Sequence, residues 1–502
     1  MKKIQINKIL IAMTMIISLG ACKKEFVDVS PKGEFLTENY YADQSQAFSA
    51  LVATYDALRK NSGGFENMIT MMNAGSDDHF AGGGSSTDGI GIQSFSTHSL
   101  TALNVPSSFW SDHYQGIFRA NTLLAKLPTT KMDETLKGRY AGEAKALRAV
   151  YYFNLVRLFK NIPLLLAPLT ATNMYQVKQT TKDSVYAQIE KDLTEAIAVL
   201  PTSVPVATDG GRLTKGAAKA ILGKVYLYNN KASLAAAQLA EVNGTPGTTS
   251  SLGYKLLSNF SDLWVVNNKF NTESILEVTH SSIGNSDWGW WGSGRDEGNT
   301  VNVMVGPRSY NALIGAPGLP SGWSFNIFTQ DFYDVMKNDP RFEATIFDLK
   351  ALEAAGKATY IAGYQNTGYF LNKFLPRNAD IRTGTGSQEL NFKQDSYVIR
   401  LADTYLLEAE ALGGTGTRAQ ALLDAVRTRA GLSSVPVSLA AIKAERRLEL
   451  AGEGHRFFDL VRWGDAATVL AGRGFTAGTD EIFPIPFSEL QGTMLVQNPN
   501  YK

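Results

Sequence analysis

One cysteine in 502 residues leaves no intramolecular disulfide open to this chain, so packing alone has to hold the fold. Histidine is nearly as scarce, with five, and no HExxH or CxxC spacing occurs; little remains from which to build a zinc site. There is no GxSxG nucleophile elbow and no Walker loop. An excess of either charge is also missing: 48 Lys+Arg stand against 47 Asp+Glu, so nothing marks an electrostatic footprint for nucleic acid. Beyond the first twenty residues no stretch is apolar for long enough to span a bilayer.

What is present begins at the N-terminus. Lys2, Lys3 and Lys8 form a positive start, and Ile9 to Ile17 is an almost unbroken apolar run, too short for a spanning helix and suited to a secretory signal. It ends in Leu19-Gly20-Ala21-Cys22, which resembles a bacterial lipobox. Small residues there admit the peptidase, and the Cys22 thiol is the acceptor for a diacylglyceryl group. Removal of 1–21 leaves 45 basic residues against 47 acidic ones, on a body tethered to the membrane by lipid at Cys22. Residues 22–43, with Pro31 and Gly33, read as an extended leader.

Helical periodicity dominates two regions, 44–243 and 396–502. Phe48, Leu51, Tyr55 and Leu58 recur at three- and four-residue steps, as do Phe109, His113, Ile117, Ala120 and Leu124. Tyr140 to Phe159 predicts a long amphipathic helix; the next is expected to open on Asp183 as N-cap and to stop at Pro201. Thr214–Tyr228 with Ala232–Val242, and Tyr397–Leu412 with Thr417–Ala430, read as helical pairs. The expectation is a mostly α fold in which tetratricopeptide-like hairpins stack into a scaffold. Two loop-rich regions interrupt it: an insertion at about 61–106 and a lobe over 244–395 with short strands such as Ser274 to Thr279. Loops of this length are usually functional.

The lobe holds the costliest side chains. Trp288, Trp290 and Trp291 put three of the seven tryptophans into four positions between glycines, with no helical period. In a strand, Trp288 and Trp290 would share one face and Trp291 the other, so one ring would be hard to bury. Flat apolar faces with a polar edge suit a ligand such as a sugar ring; a loop-anchoring minicore is the alternative. Trp323 is a further candidate from the same lobe, and Asp77, Asp78 and Arg295 are candidate hydrogen-bonding partners for hydroxyls. Asp77-Asp78-His79 is also conceivable as a metal site, against the scarcity of histidine. The densest ionic cluster, Glu445 to Arg462, offers Glu449, Glu453 and His455 for acid–base work, but the many arginines within helical reach favour a structural ion-pair network.

Several blocks, in order, carry a resemblance over nearly the whole mature chain. They are Cys22 with Phe26-Val27-Asp28-Val29-Ser30-Pro31; Phe109-Trp110 through Asn121; Glu143-Ala144-Lys145-Ala146-Leu147-Arg148 through Leu155; Ile399 to Ala411; Val426 to Leu432; Glu445 to Trp463; Pro484-Ile485-Pro486; and Gln497-Asn498-Pro499. The sequence resembles SusD/RagB-type outer-membrane nutrient-binding lipoproteins. The resemblance implies about four tetratricopeptide-like units carrying an irregular lobe, a non-enzymatic role without cofactor or metal, and capture of a glycan at the cell exterior. It also implies delivery to a SusC-like TonB-dependent transporter, with the outer membrane as location. It carries over no ligand residue by motif, so Trp288, Trp290, Trp291, Trp323, Asp77, Asp78 and Arg295 rest on loop position and chemistry. A lipid-anchored glycoside hydrolase, and a transporter lid that binds no glycan, are the rival readings.

Overall fold

The computed structural model describes residues 41–501 apart from 171, 285 and 289–296. Eight long helices form the scaffold. Helix α1 (Gln44–Gly63) packs against α2 (Ser108–Lys126), α3 (Glu134–Phe159) against α4 (Lys182–Val199), and α5 (Lys215–Tyr228) against α6 (Ala232–Asn243); α7 (Leu401–Ala411) packs against α8 (Gly416–Arg429). Each pair stacks on the next through α2 on α3, α4 on α5 and α6 on α7. That is the tetratricopeptide-like solenoid. No helix among the described residues is long and apolar enough to cross a membrane.

Small residues set the helix spacing. A Cβ on Gly116 of α2 would sit 2.4 Å from Tyr151 of α3, and one on Gly223 of α5 would sit 2.5 Å from Leu239 of α6. Helix α3 is buried on most sides, so its polar groups must be paired inside. Arg148 donates to Asp192 of α4 at 2.7 and 2.8 Å and to Asn121 of α2 at 2.7 Å, which ties three helices together. Glu143 accepts from Tyr55 at 2.7 Å and from Arg139 at 3.0 Å.

Two local expectations need correction. The N-cap of α4 is Thr181, whose hydroxyl accepts from Ser184; Asp183 lies in the first turn, where its charge favours the helix dipole without capping. The helix expected from Tyr397 starts instead at Leu401, because Ser396–Arg400 is a strand, rich in β-branched and aromatic residues, paired antiparallel with Ser274–Val278. Numbering the strands in chain order makes these β6 and β1; β2 (Asn311–Ala312) pairs with β4 (Ala358–Thr359), and β3 (Ile346–Asp348) with β5 (Tyr369–Leu371).

The lobe is fastened to the scaffold by buried charge. Helix α9 (Leu439–Glu449) carries Glu445 and Glu449, and the following turn carries Glu453. Arg341 of the lobe reaches Glu445 at 2.6 Å and Glu449 at 2.8 Å; Lys373 reaches Glu453 at 2.8 Å. Arg400 joins Glu449 at 2.6 Å, Glu453 at 2.8 Å and Glu273 at 2.9 Å, and Arg429 also pairs with Glu273 and Glu449. Almost all of these side chains are shut away from solvent. The Glu445–Arg462 cluster is thus a structural ion-pair network.

Four of the five histidines are buried and the fifth, His455, is part-buried. Burial lowers their pKa values to about 3 for His79, His113 and His280 and about 4 for His98 and His455. Below pH 6.5 the unfolded chain therefore takes up protons that the folded chain refuses, and stability falls with pH. Carboxylates pushed up by burial, such as Asp78 to about 6 and Glu277 to about 7, work in the opposite sense, while Asp403, Glu449, Glu453 and Asp459, held low against burial by neighbouring cations, add to the histidine effect. Urea midpoints are expected to fall steadily between pH 6.5 and 4; a midpoint flat over that window would show that the histidines are not held neutral.

Candidate functional site

The first insertion and the lobe meet along one extended seam. Residues 79–83 run antiparallel to 324–328: Phe80 N–H donates to Ile327 at 2.8 Å, Asn326 N–H to Ala81 at 2.9 Å, and Gly83 N–H to Ser324 at 2.8 Å. Glycine is required at Gly82, where φ is +73° and a Cβ would lie 2.2 Å from the Ser324 carbonyl oxygen. Just before that seam, Trp323 is pinned by its N–H to the Val303 carbonyl at 2.9 Å, at the short helix Thr300–Val305.

Trp323 is the middle of a row of three rings and is inclined to Phe65 by 58°. Phe65 lies behind it, centroids 6.1 Å apart, and Trp288 lies 5.9 Å away on the lobe side, tilted by 33°. Phe65 is itself edge-on to Phe325 at 6.1 Å. Trp288 is 49% exposed, and the chain beneath it is held: Asp287 accepts from the Trp288 N–H at 2.8 Å and from the Ser387 hydroxyl at 2.6 Å, while Asn391 brackets Ser286 at 2.8 and 3.1 Å. The Ser387 and Trp288 hydrogen bonds hold the Asp287 carboxyl below the usual carboxylate range. The arrangement is an aromatic platform, backed by core, presenting an outer indole to solvent.

Polar groups stand next to it. Arg308 donates to the Trp323 carbonyl at 3.2 Å and lies 3.7 Å from Asp88, both side chains part-exposed. Asp88 also accepts from the Gly84 N–H at 2.6 Å, which fixes the Gly82–Gly84 turn. Tyr364, part-exposed, joins the same turn through its N–H to Gly83 at 2.8 Å. A planar guanidinium held at the Trp323 carbonyl, with a carboxylate 3.7 Å away, supplies the donor and acceptor pair that sugar hydroxyls need.

Of the residues singled out from sequence, Trp288 and Trp323 come together here. Trp290, Trp291 and Arg295 lie outside the described residues. Asp77 and Asp78 are placed elsewhere in the interaction map: Arg456 donates to Asp77 at 2.8 and 2.9 Å, and Arg447 contacts Asp78 at 2.6 Å and Asp77 at 3.1 Å. These ion pairs dock the insertion onto the C-terminal helices and occupy both carboxylates in this structure. Among the described residues no cluster of three His, Cys, Asp or Glu side chains could hold a metal, and His79 stacks on Phe328 at 4.1 Å. Asp77→Asn is expected to cost about 1–3 kcal/mol of stability and to leave glycan affinity unchanged; urea unfolding beside calorimetric titration separates the two.

Phe65, Asp88, Arg308 and Tyr364 were not legible as site residues. Only the glycine run at Gly82–Gly84 signalled a special turn near Asp88; Arg308 and Tyr364 carry no local pattern.

Comparison with known proteins fits this geometry. The model of the SusD family matches residues 293–480, and a model described as starch-binding associating with outer membrane matches 25–227. A SusD-like protein of Formosa agariphila is 26% identical over 97% of both chains. A solved laminarin binding SusD-like protein is 61% identical, covers 92% of this chain and 100% of its own, and superposes with a TM-score of 0.91. The chain belongs to the SusD family. Surface glycan-binding protein A of Bacteroides thetaiotaomicron, solved in complex with laminarihexaose, is another SusD-like neighbour, 26% identical with a TM-score of 0.80, covering 91% of this chain and 99% of its own. Trp288 falls between the two matched regions of this SusD-family chain, while Trp323 and the charged fastening of the lobe fall inside the second.

Proposed function

We propose that this chain is a cell-surface glycan-binding protein that captures a laminarin-type glycan without cleaving it. The observation that carries the reading is the Phe65–Trp323–Trp288 row of rings, its outer ring half exposed, with Arg308 held at the Trp323 carbonyl and paired with Asp88. The laminarin-binding relative at 61% identity and the laminarihexaose complex support the ligand class. Trp290, Trp291 and Arg295, close to Trp288 in sequence, are further ligand contacts in this proposal. Lipidation at Cys22, an outer-membrane location facing the cell exterior, and delivery to a SusC-like TonB-dependent transporter complete it.

The test is calorimetric titration of the purified protein with laminarihexaose, laminarin and starch, followed by product analysis. Saturable binding of laminarihexaose with no released shorter sugar is the expected result. Release of oligosaccharide would replace the proposal with a hydrolase. Co-purification with a β-barrel partner in the absence of any glycan binding would leave only a structural subunit.

A further inference from the structure

Phe65 also lines a cavity of about 280 Å³. Its lining also includes Glu66, Ile90, Leu103, Ser107 and Met304. Gly89, in the left-handed region at φ +65°, lets the backbone pass close to Phe65 and Phe325; a Cβ there would meet their rings at 3.5 and 3.6 Å. The cavity and the platform therefore share Phe65, and Phe65 to Trp323 to Trp288 covers two steps of 6.1 and 5.9 Å. A short oligosaccharide spans that distance.

The chemistry inside is mixed in the way a sugar ring requires. Ile90 and Leu103 are 59% and 81% exposed, large apolar side chains spent on the rim of the cavity rather than in a core. Glu66 accepts the Ser108 hydroxyl inside the cavity wall, and burial pushes its carboxyl above the usual range. A part-buried carboxylate is the acceptor that rewards a correctly placed hydroxyl and rejects a ligand lacking it. At the lower end of small-molecule site volumes, about 300 Å³, the space suits a sugar unit or two and not a continuing chain.

We infer that this cavity is a second carbohydrate subsite. It holds a terminal or branching unit of the same glycan whose neighbouring units lie on Trp323 and Trp288, with Glu66 accepting its hydroxyls. The inference deepens the proposed glycan-binding function and rests on it.

The experiment titrates the purified protein, Glu66→Gln and Ser107→Trp with the tri- and hexasaccharides of the laminarin series, and melting curves confirm that each variant is folded. Ser107 is exposed and lines the cavity, so an indole placed there occupies the cavity while Trp323 and Trp288 stay unsubstituted. Each variant is expected to lose about tenfold in hexasaccharide affinity, the worth of one hydrogen bond to a charged group, and to keep its trisaccharide affinity. Hexasaccharide binding at wild-type strength in both folded variants, with binding still lost in Trp323→Ala, would overturn the subsite and leave the platform reading intact. Equal losses for both sugars would overturn it too, since the effect would then lie on the platform. A wild-type protein that binds neither sugar would remove the glycan reading itself.

Discussion

Trp323→Ala is expected to weaken laminarihexaose binding by at least about thirtyfold, the 2 kcal/mol or more that marks a buried aromatic anchor in a binding surface. The indole does two things. Its body separates Phe65 from Trp288 at 6.1 and 5.9 Å, so its loss removes the support behind the exposed ring as well as its own contact area. Its carbonyl takes a hydrogen bond from Arg308, and that bond survives the substitution because it belongs to the backbone. The polar side of the site therefore remains, and the loss reads on stacking alone. Trp288→Ala should cost about tenfold, roughly 1.4 kcal/mol, because half of that ring already faces water. Calorimetry on variants with unchanged melting temperature checks both; wild-type affinity in Trp288→Ala would mean that the stack is packing and not platform.

The second large effect is on folding. Glu449→Ala is expected to destabilise the protein by about 3–5 kcal/mol, the cost of breaking a buried ion pair from one side. Glu449 is fully buried and answers three guanidinium groups, those of Arg341, Arg400 and Arg429. Burial by itself would raise the Glu449 carboxyl, but Arg429, Arg400 and Arg341 together hold it far below the usual range, so it is charged at neutral pH. Its removal leaves cations in a dry interior with nothing to replace the hydrogen bonds. Denaturant midpoints measured with tryptophan fluorescence give the size of the loss; a variant as stable as the parent would show that solvent reaches the seam.

How far these features could be read in advance depends on the range of the interactions behind them. The long helices follow from local spacing: Val185, Ile189, Leu193 and Ala196 share one face of α4, and all are buried. The start of α7 was misplaced because Tyr397–Arg400 owes its extended form to a strand more than a hundred residues earlier. Asp77 and Asp78 looked like free loop carboxylates because their partners, Arg456 and Arg447, lie nearly four hundred residues downstream. Trp288 and Trp323 were legible as costly residues in a loop-rich lobe, whereas their meeting, and the place of Phe65 beneath them, is made only by the fold. Residue chemistry nominated part of the candidate site, and long-range pairing brings Phe65, Trp288 and Trp323 together.

The charged fastening between lobe and scaffold has a consequence for how this protein can be altered. Apolar seams tolerate sliding and rotation, but a guanidinium shared by two carboxylates fits in one orientation only. Arg341 and Lys373 therefore act as a keyed joint: they fix the bearing of the lobe without drawing on the loops that carry the rings. Loops at the rim are then free to be exchanged. A chimera that keeps Arg341, Lys373, Arg400 and their carboxylates, while importing the tip loops of another relative, has the geometric means to point a new recognition face in the old direction.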